Sequence, residues 1–105
     1  MTITIERAPR VGTRQYPREI WSVDQFRLWL QKAQRGEWCR YFLGHLSAAR
    51  EGVGTEGMDN RSAWALTKLA DDLATAAYYA QRAGLVALVQ KRTRLMGYQY
   101  LAVKR

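Results

Sequence analysis

In the stretch QKRTRLMGYQY, Lys91, Arg92 and Arg94 stand close together, and no acidic residue follows Asp72 anywhere in the chain. Three cations in one loop can each neutralise a phosphate. Three such contacts would give about 2.7 units of slope in the salt dependence of binding to duplex DNA. Tyr98 and Tyr100 follow directly and could pack on a sugar or a base. The same charges would also protect a solvated hairpin from pairing edge to edge with another chain. Arg82, Lys104 and Arg105 add to this acid-free C-terminal third, which makes Lys91, Arg92, Arg94, Arg82, Tyr98, Lys104 and Arg105 the candidate nucleic-acid-binding residues.

The other chemistry-bearing residues make weaker sets. His45 and Cys39 are the single histidine and the single cysteine. A Cys–His pair can form a nucleophile. On one strand, side chains at this spacing stand about 20 Å apart, too far for a hydrogen bond. A metal site needs clustered donors, and the adjacent acids Asp71 and Asp72 diverge on a helix. The loop EGVGTEGMDN is glycine-rich but lacks the phosphate-loop pattern, and Glu51, Glu56 and Asp59 would repel an anion. No catalytic set, metal site or cofactor is expected, and the chain reads as a binding protein rather than an enzyme.

Composition points the same way. Seventeen Lys and Arg against nine Asp and Glu give a net charge of +8, which favours an anionic partner. Thirteen of the seventeen are Arg, whose planar fork suits phosphate and carboxylate. Double-stranded DNA is the first expectation and an acidic host protein the second. With 105 residues the chain reads as one domain. No apolar run reaches the roughly 20 residues of a membrane span, so no membrane partner is expected. The N-terminus has no apolar signal region, and one cysteine cannot form an internal disulfide; both suit a cytoplasmic location.

The elements that would position the basic loop can be read from periodicity and caps. Residues 1–20 carry Arg7, Arg10, Arg14 and Arg18 among Pro9, Gly12 and Pro17, the pattern of a basic flexible arm. Ser22 and Gln25 form a capping-box pair, with Trp21 and Phe26 spaced as a hydrophobic staple. Val23, Phe26, Trp29, Leu30 and Ala33 then predict a helix over about 22–35, closed by Gly36. Trp38 to Leu43 suits a strand over about 38–46, with Gly44 marking a bulge or a close backbone approach. Asn60 or Ser62 opens a helix over about 60–83, with an apolar stripe from Leu66 to Ala83 and Gly84 at its end. Two further strands, about 85–90 and 97–103, form a hairpin around the loop from Lys91 to Met96. The expected fold is α+β, with two main helices and a small three-stranded antiparallel sheet.

This order, with GLVALVQKRTRLMGYQYLAVKR at its end, resembles the C-terminal half of winged-helix domains. There a helix ends in Gly-Leu-Val, a strand follows, and a basic loop precedes the last strand. The resemblance covers residues 60–105 and implies a single winged-helix-like domain over 21–105, with Lys91 to Met96 as the wing. The phrases RYFLGHLSAAR, LVQKR and YQYLAVKR, over residues 38–105, also resemble small proteins of bacterial phages and prophages. Together these resemblances imply a DNA-binding transcriptional regulator.

One feature departs from the pattern. A winged-helix reader places two helices, joined by a turn, before the wing. No Gly, Pro or Asn marks a turn within 62–83. An unbroken helix there implies altered recognition geometry. Its exposed positions over 70–83 include Asp71 and Asp72, which would face phosphate badly unless they pair with a cation such as Lys68. The alternative reading is a phage-type module that docks on a host protein. Trp21, Trp64 and the many tyrosines supply residue types that dominate interfaces. A homodimer through the alanine-lined helix is a further expectation.

Overall fold

A computed structural model describes residues 18–105. Six elements follow in the order α1 (Val23–Lys32), β1 (Trp38–Gly44), α2 (Leu46–Arg50), α3 (Asn60–Arg82), β2 (Val86–Arg92) and β3 (Tyr98–Lys104). The strands form one antiparallel sheet in the order β1-β3-β2. The arm expected over 1–20 lies outside the described residues as far as position 17. Residues 18–20 are joined to the sheet. Glu19 forms a parallel bridge with Arg40, and Ile20 is buried.

α1 begins at the expected Ser22 cap, with the return bond from Gln25 falling one residue earlier than a capping box places it. The Ser22 side chain accepts from the Gln25 amide (3.2 Å), and the Gln25 side chain accepts from the Trp21 amide (2.6 Å). The staple does not close, because Trp21 stays 70% exposed while Phe26 is buried. Phe26, Trp29 and Ala33 form the buried face. At the other end, the Lys104 ammonium donates to the Leu30 carbonyl at 2.5 Å, capping one of the helix's last acceptors.

β1 is shorter than the expected 38–46. Gly44 takes a positive φ of 127°, which ends the strand and turns the chain into α2. No helix is predicted there from the sequence. Its first-turn amide at Leu46 donates to the Tyr100 hydroxyl (3.3 Å), a partner from the last strand. The irregularity in β1 falls between Arg40 and Phe42 rather than at Gly44. The close approach at Gly44 comes from Gly97, where an added Cβ would lie 2.9 Å from the Gly44 carbonyl oxygen.

α3 is unbroken, and its cap is Asp59 rather than Asn60 or Ser62. The Asp59 carboxylate accepts from the Ser62 amide at 2.7 Å. Ala70, Leu73, Ala74, Ala77 and Ala80 are buried, so small side chains bring the helix close to the sheet. The core joins these residues to Phe26, Trp29, Cys39, Tyr41, Val86 and Ala102. Ten residues at the start of α3, 60–69, contain no buried side chain. That part of the helix, about 15 Å long, is covered on one side only, where Leu69 packs against the core and Thr67 meets the loop after α2.

Candidate nucleic-acid interface

The β2–β3 hairpin runs further than expected. β2 continues to Arg92, so Lys91 and Arg92 belong to the ladder, paired with Gln99 and Tyr98. Successive strand residues alternate between faces. Lys91 and Arg92 therefore leave the ribbon on opposite sides, and Arg94 is exposed in the turn that follows. The turn is held by three hydrogen bonds. The Thr93 amide and hydroxyl both donate to the Gly97 carbonyl (2.8 and 3.0 Å), and the Met96 amide donates to the Thr93 hydroxyl (3.0 Å). Gly97 supplies the positive φ of 79° that closes it. Lys91, Arg92 and Arg94 are exposed and have no ion-pair partner among the described residues.

Glu19, Asp71 and Asp72 are paired with cations. Arg40 grips Glu19 through Nε (2.8 Å) and Nη2, Arg50 holds Asp71 (2.8 Å), and Lys68 meets Asp72 (3.3 Å). The pairing of Asp71 and Asp72 with cations offsets the repulsion that two bare acids would exert on a phosphate backbone.

Tyr98 is half-buried and belongs to an aromatic chain. Its ring meets His45 edge-on at 5.8 Å and Tyr100 at 6.3 Å, and Tyr100 leads on to Phe42 and Tyr41. It braces the turn end of the hairpin against the β1–α2 junction rather than standing free.

The remaining candidates are elsewhere. Arg82 ends α3 and donates to the Tyr78 hydroxyl at 3.1 Å. Lys104 is committed to the Leu30 carbonyl. Arg105 is exposed, and its amide donates to the Leu85 carbonyl (3.0 Å). Val86 pairs with Lys104, so these three cations cluster where β2 begins, about 20 Å along the sheet from the wing. The seven candidates thus form two groups, and only Lys91, Arg92, Arg94 and Tyr98 share the wing end.

A second element reaches toward that end. Gly97 abuts Gly44 and His45, where β1 passes into α2. α2 and the loop after it meet α3 through Arg50–Asp71 and the approach of Gly52 to Thr67. The exposed first half of α3 is therefore on the α2 side, next to the β2–β3 turn. It exposes Asn60, Arg61, Ser62 and Lys68, and its first turn has no acid. A reading face sought over 70–83 misses these residues. The available signal was Arg61 and Ser62 next to an acidic cap, in a turn where acids are usual.

Cys39 is fully buried, and desolvation pushes its thiol up to about 12, aided by Glu19 and opposed by a backbone hydrogen bond. Among the described residues no group of three His, Cys, Asp or Glu side chains could hold a metal ion. Among them, too, no helix is long and apolar enough to cross a membrane. In comparisons with known proteins, no family model matches the chain, and neither a curated protein nor a solved structure matches it significantly.

Proposed function

We propose that this protein binds double-stranded DNA as a winged-helix-like regulator of phage type, working in the cytoplasm. Lys91, Arg92 and Arg94 contact phosphates, and the exposed start of α3 presents Asn60 and Arg61 to the duplex. The observation that carries the reading is the wing itself: three exposed cations without carboxylate partners among the described residues, on a turn held by three hydrogen bonds. The element order α1-β1-α2-α3-β2-β3 and the strand order β1-β3-β2 support the winged-helix resemblance. α2 supplies the helix before α3 that the pattern requires, upstream of the glycine-rich loop. Tyr98 acts as a brace, while Arg82, Lys104 and Arg105 contribute only to the overall field.

Fluorescence anisotropy with a labelled random duplex tests this. The native chain binds at low salt, and Lys91, Arg92 and Arg94 changed together to Ala bind much more weakly. No binding by the native chain at low salt refutes the reading.

A second reading is favoured by Trp21 and Trp64, which are 70% and 65% exposed rather than buried in the core. Large exposed indoles suit a protein interface, with an acidic host protein or a second copy as partner. Sedimentation of the chain alone and as its Trp64→Ala variant separates the copy from the host protein. Self-association that the variant abolishes supports a homodimer through Trp64, since the alanine-lined face of α3 first expected to carry one is buried against the sheet.

A further inference from the structure

The turn of the β2–β3 hairpin holds two large apolar side chains in water. Leu95 is 94% exposed and Met96 60%, and neither packs against the core. Leu95 is the most exposed large hydrophobic side chain among the described residues. The turn does not need either side chain, since the Thr93 hydroxyl and Gly97 supply its hydrogen bonds and its positive φ. Arg94 directly precedes Leu95, and Lys91 and Arg92 stand on opposite faces of the ribbon just before the turn. An apolar point is thus set among three exposed cations that have no ion-pair partner among the described residues.

This arrangement matches one feature of a duplex. The minor groove is about 6 Å wide and is bordered by two rows of phosphates. A two-stranded ribbon is too wide to lie along it, but a turn can enter end-on. End-on entry gives each phosphate row a cation, Lys91 on one side and Arg92 on the other, and brings Leu95 to the base pairs first. A ribbon laid flat in the major groove would turn one face, and its cation, away from the DNA. Apolar side chains placed at the minor groove wedge between base steps and kink the duplex by about 20–90°. An anionic bilayer is the competing polyanion, but two side chains offer it little: even a whole myristoyl chain holds a protein to a membrane only marginally.

We infer that Leu95 is a minor-groove wedge, which inserts at a base step and bends the bound DNA toward the major groove. Met96 widens the apolar contact beside it. The wedge presupposes the DNA binding proposed above and adds a groove, a bend and a named residue to it. Pyrimidine–purine steps such as TpA unstack most easily, so they are the steps it enters.

The test titrates the full chain, at low salt, onto a short duplex with one central TpA step. The adenine of that step is replaced by 2-aminopurine, and the two ends carry a donor–acceptor pair. At saturation, energy transfer rises as the ends approach, and 2-aminopurine emission rises as the step unstacks. Leu95→Ala, at a position outside the core, retains the native salt slope because no charge changes, and it loses most of both rises. Leu95→Phe, another apolar wedge, keeps them. Binding with neither rise, or equal rises in Leu95→Ala, overturns the wedge and leaves DNA binding standing. No binding by the native chain at low salt overturns both. Vesicles of equal parts phosphatidylserine and phosphatidylcholine form the last arm. Flotation of the native chain that Leu95→Ala abolishes, with the DNA left straight, assigns the tip to a membrane and overturns the wedge.

Discussion

Gly97→Ala is expected to uncouple the wing from the body of the protein. Two costs combine. Gly97 has φ +79°, a conformation that costs an L-residue about 1–2 kcal/mol. The added methyl would also lie 2.9 Å from the Gly44 carbonyl oxygen and 3.0 Å from His45 Nε2, so backbone must shift. Overpacking of that kind adds about 1–3 kcal/mol. Gly84 provides the control, because its φ is nearly the same at +78° but a Cβ there meets nothing within 4 Å. Urea unfolding of the two variants separates the terms. Gly84→Ala should lose only the conformational cost, and Gly97→Ala about 1–3 kcal/mol more. Amide shifts in Gly97→Ala should spread to His45 and Leu46. Equal losses in the two variants, within the error of the extrapolation, would refute the close packing of the wing root against α2.

Three further outcomes are expected. Asp59→Ala should lower the melting temperature at pH 7, whereas Asp59→Asn, which still accepts from Ser62, should not. The hydrogen bonds from Ser62 hold the Asp59 carboxyl below its usual range, so the charge-assisted part of its contribution is full above the ordinary carboxylate pKa and lost as pH falls through the depressed one; the difference between Asp59→Ala and the native chain should narrow in strong acid to what a neutral acceptor supplies. Burial raises the Cys39 thiol from 9.0 to about 12 and the Tyr41 phenol from 10.0 to about 12, so stability is full below pH 9 and declines as pH rises through that window; Cys39→Ala should flatten the first part of the decline in alkaline unfolding curves. Lys104→Met should cost about 1–2 kcal/mol through loss of the bond to the Leu30 carbonyl, read by urea unfolding, while leaving DNA affinity nearly unchanged.

The elements written in local pattern were legible in the sequence. Ser22 and Gln25 mark the start of α1 because a capping box is a contact between near neighbours. The apolar alternation of 98–103 marks β3 for the same reason. α2 was not legible. Five residues are too few for helical propensity to speak, and its first amide is satisfied by Tyr100, a contact made only when the sheet has formed. The position of Lys91 and Arg92 in the ladder likewise depends on register with Gln99 and Tyr98. The division of the basic residues follows from antiparallel pairing, which sets Val86 beside Lys104 and carries Arg92 to the far end. Leu66 and Leu69 continue the spacing of the buried stripe, yet Leu66 is 48% exposed, because α2 is too short to cover the start of α3.

The slope of DNA affinity against salt, compared between two triple variants, tests the wing most directly. One variant changes Lys91, Arg92 and Arg94 to Ala, and the other changes Arg82, Lys104 and Arg105. Both remove three charges, so overall charge is matched. The wing variant should flatten the slope by about 2–3 units, and the far-end variant should leave it nearly unchanged. Equal flattening by both would contradict the account and reduce DNA affinity to net charge alone.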